Sequence, residues 1–280
     1  NAEPPPRWLG DFSPDTLANW VQTQDERWAR PFRARQLLTH YFHKLTPSFD
    51  EMTDLPGAMR QRLGEQMGLD PLRITTRQDD NTGSTKLGIE PLAKPPKQGV
   101  SGLIEAVIMR DAGRDGRTIC VSSQVGCAMG CRFCASGLGG LVRNLTTAEI
   151  LGQVWHAARI LQAEGFGGTT DGRRGRRSRE ASGAPDEGRR GLLVTNLVFM
   201  GVGEPLANWK ALEPALRALT SPWGFGLSPR RITVSTVGLI AGIHALADAD
   251  LPVNLAISLH AADDDTRQQI MPTRPGARPT

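Results

Sequence analysis

The stretch Cys120-Val-Ser-Ser-Gln-Val-Gly-Cys127-Ala-Met-Gly-Cys131-Arg-Phe-Cys134 holds all 4 cysteines of a 280-residue chain. Three of them stand in a Cys-x3-Cys-x2-Cys pattern, and the fourth lies seven residues upstream. Chance placement would not crowd them so. A structural zinc ion takes four protein ligands, commonly two separated pairs of Cys or His. The tight group here offers three, and the loop contains no His. Disulfide frameworks belong to short secreted chains. An iron–sulfur cluster is held by Cys thiolates on short loops, and three protein ligands to a four-iron cluster leave one iron open to a further ligand. Cys127, Cys131 and Cys134 therefore read as cluster ligands, with zinc and a distant fourth ligand as the alternative.

Composition bounds the rest. A hydrophobic content of 39% suits a globular protein. The formal net charge is +4, and residues 165–191 alone carry seven arginines against four acids. The body is thus nearly neutral, and whole-chain charge is weak evidence for a nucleic-acid partner. The 165–191 insert is poor in apolar residues and reads as disordered. No apolar run approaches the ~18–20 residues of a membrane span. The first residues lack a basic and apolar leader, and unpaired thiols suit a reducing, cytoplasmic setting. The chain starts without Met and stops in a turn-like stretch, Met271 to Thr280, just after an amphipathic segment. That pattern predicts further sequence beyond Thr280.

Three regions follow from periodicity. Residues 1–70 read as a small helical accessory domain. Ser13 is a candidate N-cap with Pro14 at the first helical position, Pro31 opens a second helix, and a third spans Met52–Met67 with Leu55, Met59, Leu63 and Met67 four apart. Residues 71–112 read as a short β-rich linker, with strands at Leu72–Arg77, Lys86–Ile89 and Gly102–Arg110 and a loop over Pro91–Val100. On periodicity alone, Glu105 inside the last of these strands points to solvent. From 113 to 280 buried strands alternate with helices. Strands are expected near residues 120, 196, 233 and 256, the last within a buried run Pro252–Leu259. Thr146-Thr-Ala-Glu149 is a capping box, and its helix puts Ile150, Leu151, Val154, Ala158 and Leu161 on one face. Such alternation specifies an α/β fold of parallel βα units, a partial TIM-like barrel.

In barrels, functional residues gather at the C-terminal strand ends. The cysteine loop follows the first strand, Gly201-Val-Gly203-Glu204-Pro205 the second, Ser235-Thr-Val-Gly the third and Ser258-Leu-His260 the fourth. Each is weak alone; His260 by itself reads as structural. Four polar or glycine-rich ends at one mouth are a stronger signal.

The Cys-x3-Cys-x2-Cys pattern resembles that of the radical S-adenosylmethionine (SAM) enzymes. Longer motifs narrow this to the RlmN/Cfr branch, the RNA adenine methyltransferases, on the RlmN side. They include Pro31-Phe-Arg-Ala-Arg-Gln-Leu, Phe49-Asp-Glu-Met-Thr-Asp-Leu-Pro, Gly140-Leu-Val-Arg-Asn-Leu, Phe199-Met-Gly-Val-Gly-Glu-Pro-Leu, Gly224-Phe-Gly-Leu-Ser-Pro-Arg-Arg-Ile-Thr-Val-Ser-Thr and Ala256-Ile-Ser-Leu-His-Ala.

The resemblance implies a radical SAM barrel with a 4Fe-4S cluster on Cys127, Cys131 and Cys134. It implies SAM bound by Gly203, Glu204, Ser235, Ser258, Leu259 and His260, with Phe133 near the adenine or in plain loop packing. It makes Glu105 the proton acceptor and Cys120 the thiol that resolves a methylated intermediate. A second cysteine near the C-terminus would first take the methyl from SAM, and turnover would leave a disulfide. The implied substrates are 23S rRNA and tRNA, methylated at adenine C2. The implied electron donor is a flavodoxin-like protein, and the implied state is a soluble monomer. The basic residues Arg33, Arg35, Lys44, Arg60 and Arg62 of the helical unit become candidate phosphate contacts.

No cysteine follows Cys134, so the methyl-accepting thiol is expected outside these residues, and this chain alone is not expected to turn over. Three alternatives are C8 methylation as in Cfr, a radical SAM enzyme acting on a non-RNA substrate, and a zinc-containing RNA-binding module without catalysis.

Overall fold

A computed structural model describes residues 8–28, 30–93, 102–111, 115–166 and 193–272. Much of the 91–100 loop and of the arginine-rich insert lies outside the described residues.

The N-terminal unit is helical. In α1 (Pro14–Gln24) Ser13 and Thr16 form a reciprocal capping box, as the Ser-Pro opening requires. Helix α2 (Pro31–Leu38) runs into a π-helical turn, Thr39–His43. There buried His40 is fixed by Thr46 Oγ1 at 2.9 Å and Asp54 Oδ1 at 2.7 Å. The ladder Leu55, Met59, Leu63 and Met67 is buried as its spacing predicts. Its helix, α3 (Gly57–Gln66), begins later than Met52. Pro56 is extended, with ψ 138°, and the residue before a proline avoids the helical region.

Residues 72–111 are continuous with the barrel sheet. Strands β1 (Leu72–Asp79), β2 (Ser84–Pro91), β3 (Ile104–Asp111) and β4 (Gly116–Cys120) form an antiparallel meander. Two short strands, β5 (Gln124–Gly126) and β6 (Leu141–Asn144), pair with each other and bracket the cysteine loop. Next come β7 (Asn196–Phe199), β8 (Ile232–Thr236) and β9 (Asn254–Ile257), which continue parallel to β4 in the order β4-β7-β8-β9. Between them run α4 (Thr147–Ala163), α5 (Trp209–Thr220) and α6 (Ile240–Asp248), and α7 (Asp264–Ile270) closes the series. The four parallel strands stand where the alternation put them.

The sheet is covered on one side. Ile108, Ile119, Leu197, Phe199 and Val234 are fully buried in a core shared with α4 and α5, including the predicted face of α4. The alternate residues, among them Glu105, Cys120 and Ser235, project from the other face and are partly or fully exposed. One expectation fails here. The run around β9 is apolar, but Leu255 and Ile257 are 38% and 56% exposed. Among the described residues β9 is an edge strand with β8 on one side only.

The helical unit docks on α4. The Trp155 indole donates to the Tyr41 carbonyl at 3.0 Å, and the two rings stack 6.0 Å apart. His43 Nε2 donates to the Gly224 carbonyl at 2.7 Å. Asp11 Oδ1 accepts the Ala148 N–H, one of the unpaired donors in the first turn of α4, at 2.8 Å. Burial pushes the Asp11 carboxyl up from 3.8 to about 6; the Ala148 N–H opposes this and Glu149 adds to it. The folded state therefore holds this proton more tightly than the unfolded chain does. The stability it contributes is complete below about pH 4 and is lost as pH rises through about 6.

Asp11→Asn keeps an oxygen for Ala148 and has no proton to lose. Urea midpoints measured from about pH 4 to pH 7 should therefore fall less for the variant than for the parent. Parallel curves would show that Asp11 does not titrate in this window.

Candidate active site

The site is built where the chain leaves β4 and β7. Beyond the ladder the two backbones stay zipped. Gly201 N–H donates to the Val121 carbonyl, and the N–H groups of Ser123 and Gln124 both donate to the Val202 carbonyl. Such close approach leaves no space for side chains. A Cβ on Gly201 would sit 2.8 Å from Ser122 N, and one on Gly203 would sit 2.5 Å from Gln124 Cβ. Gly203 also has φ +107°, which favours glycine. Two buried amide side chains hold the backbone here. Gln153 accepts from Ser122 N–H and donates to the Ser122 carbonyl; Asn208 donates to the Ser123 and Leu145 carbonyls.

Glu204 is buried, and its carboxylate bridges two strand ends. Oε1 accepts the Leu206 N–H at 3.1 Å and Oε2 accepts the Val237 N–H, beyond β8, at 2.9 Å. Burial pushes its pKa up; the bonds from Val237, Thr236 and Leu206 oppose the shift. Its own N–H donates to Gln124 Oε1 at 2.9 Å.

A cleft of about 310 Å³ opens at these ends. Its walls include Cys127, Cys131, Cys134, Gly203, Glu204, Ser235, Ser258 and His260, so eight of the nine expected cluster and SAM residues share one mouth. Leu259 lines no part of it; its side chain is 62% exposed. The Ser235 and Ser258 hydroxyls are 3.4 Å apart. Phe133 packs against His260 with ring centroids 4.7 Å apart.

The four cysteines are all unpaired. Burial pushes the Cys127 thiol up to about 11, with Glu204, Cys131 and Cys134 adding to it against the Met129 N–H. Three soft donors facing one cleft beside a buried carboxylate suit a polynuclear cationic centre, which would supply the positive charge that thiolates need. The donor set therefore fits a 4Fe-4S cluster.

Glu105 and Cys120 lie apart from this cleft but on the same open sheet face. The register pairs Cys120 with Val107, two residues from Glu105. Lys86 Nζ meets Glu105 Oε1 at 2.6 Å, and Ser122 Oγ donates to the Glu105 carbonyl at 2.6 Å. Burial pushes the Cys120 thiol up, against a bond from the Met200 N–H.

Sequence reasoning gave no role to Gln124, Lys86 or Arg267. Gln124 lies inside the cysteine stretch but carries no spacing signal of its own. Arg267 sits on α7, capped by Asp263, and no spacing rule links a helix to the strand ends before it.

Residues 9–69 match the family model of the ribosomal RNA large subunit methyltransferase N-terminal domain. The chain is 43% identical, over 96% of its length, to the "Probable dual-specificity RNA methyltransferase RlmN" of Thermobifida fusca, and 45% identical over 96% to the protein of that name from a Nocardioides species. It spans 66% and 63% of those relatives, a little under two thirds. A crystal structure of a radical SAM methyltransferase from Sphaerobacter thermophilus superposes with a TM-score of 0.78 at 34% identity, over 95% of this chain and 67% of that one.

Glu204→Gln would turn one acceptor oxygen into an NH2 group facing a backbone N–H. Leaving that donor unpaired in a buried site should cost about 1–3 kcal/mol in urea unfolding. An unchanged midpoint would mean that the carboxylate does not hold the strand ends together.

Proposed function

The chain belongs to the RlmN family of radical SAM methyltransferases, and from that premise we propose that it binds a 4Fe-4S cluster and SAM and serves the methylation of adenine C2 in 23S rRNA and tRNA. The observation that carries this reading is the single cleft shared by three thiols and the ends of β7, β8 and β9.

A bound cluster offers SAM an open iron and one electron. Such radical chemistry suits adenine C2, an electron-poor carbon that an electrophilic methyl group would not attack. In this reading Cys127, Cys131 and Cys134 hold the cluster. Gly203 lets SAM approach the backbone. Glu204, Ser235 and Ser258 offer polar groups to it, and Leu259 and His260 contribute from the β9 end. Glu105 takes a proton from the substrate carbon, which it can do only within hydrogen-bond reach. Its place on the open face with Cys120 supports a base and a thiol acting on one bound base. All four cysteines precede Ala135. A second thiol of the catalytic pair is therefore not among these residues, and the reading assigns this chain binding rather than turnover. An external one-electron donor of flavodoxin type and a monomeric state in the cytoplasm complete the reading.

RNA contact falls to the helical unit. Arg35 and Arg62 are exposed there, and exposed guanidinium groups suit phosphates.

Anaerobic reconstitution should load about four iron and four sulfide per chain with absorption near about 400 nm. Cys127→Ala should lose the iron, and Cys120→Ala should keep it. Tight uptake of zinc with no iron–sulfur chromophore would overturn the reading.

Arg35→Ala and Arg62→Ala should weaken binding to RNA hairpins whatever their sequence. They should also flatten the dependence of log affinity on log salt by about one unit or less per contact removed. An unchanged slope would exclude both residues as phosphate contacts.

A further inference from the structure

Three observations meet at the C-terminal end of β9. The first is strain. His260 has φ +57°, and the Ala261 N–H donates to the Leu259 carbonyl at 2.8 Å, closing a three-residue turn about it. A non-glycine residue in that region is costly and persists only where its surroundings over-determine it. The second is the guanidinium of Arg267, on α7. Nη2 donates to the Val237 carbonyl at 2.5 Å and to the Ser258 carbonyl at 3.3 Å, and Nε donates to the Leu259 carbonyl at 3.2 Å. One planar cation thus ties the chain beyond β8 to both residues that precede His260. The third is the far end of the same helix. The Arg132 N–H, in the cysteine loop, donates to the Ile270 carbonyl at 2.9 Å, and Met271 lines the cleft.

We infer that Arg267 is a positioning residue for the cleft. Its guanidinium fork fixes the β8 and β9 ends relative to the cysteine loop and holds the His260 turn in its strained form, so that Ser258 and His260 face the three thiols. A fork is needed because three carbonyls from two separate segments must be met at once; an ammonium is a point charge on a flexible stem. The rim it fixes also lies at an edge of the sheet, since β9 has a neighbour on one side only among the described residues. The inference rests on reading the cleft as the SAM site.

The test compares the parent chain with Arg267→Lys and Arg267→Met. Amide hydrogen exchange is read on the metal-free protein, and SAM dissociation constants and iron content on the reconstituted protein. In both variants the amides of Ser258 and Ala261 should exchange at least about tenfold faster, as expected from losing charge-assisted bonds. Amides in β4 and β7 should stay protected, which separates a local effect from failure to fold. Iron content should hold, and SAM affinity should fall at least about tenfold. Parental exchange and affinity in Arg267→Lys would overturn the fork, leaving only charge. Faster exchange with parental SAM affinity in both variants would overturn the positioning role. A parent chain that loads iron but binds no SAM would instead overturn the reading of the cleft. If Arg267→Met does not fold, Arg267→Lys decides alone.

Discussion

The site depends on two backbones lying closer than side chains allow. Past the ends of β4 and β7 the chain continues to pair, Val121 with Gly201 and Ser123 with Val202. Positions 201 and 203 must therefore lack a Cβ. Once the two segments are zipped, the cysteine loop has one place to go. It leaves through β5 and returns through β6, and the Cys127 N–H is tied to the Gly140 carbonyl. Arg143 of β6 then forks onto buried Glu149 in the first turn of α4, with both contacts at 2.7 Å. Bidentate charged bonds of this kind fix direction as well as distance. The loop is thus held at both ends by main-chain bonds and one buried ion pair.

The second organising feature is the division of the sheet into two faces. Strand alternation sends every other residue to the core, where α4 and α5 cover it. The remaining residues form an open face in which Glu105, Cys120 and Ser235 project together. The parity of the pairing enforces this. A slip of one residue in β4 would send Cys120 into the apolar core and bring Ile119 to the open face. Hydrophobic burial on one side of the sheet thereby sets the arrangement of chemistry on the other.

Much of this was legible in the sequence. The capping signals at Ser13 and Thr146 placed two helices, because side-chain caps act locally. The four parallel strands and the three-thiol group were legible because apolar runs and ligand spacing are short-range patterns. The β5–β6 hairpin was not, since its strands are short and carry no alternation. The apolar run at β9 read as buried, because composition records affinity for a core and cannot say whether neighbours exist. The Pro56 start of α3 was half legible, and the π-helical turn at Thr39 was not. Arg267 was invisible because its partners are carbonyls, which every residue possesses.

The bond from Asp11 to Ala148 spans 137 residues of chain. It has a consequence for synthesis. The helical unit leaves the ribosome first, but the α4 surface that receives Tyr41 and its neighbours has not yet been made. At about 5–20 residues per second, the unit waits on the order of ten seconds with that apolar face uncovered. Its internal fastenings, such as the His40 pair to Thr46 and Asp54, lie within the unit and need no part of α4. The docking face of the first quarter of the chain thus depends on a helix that arrives later.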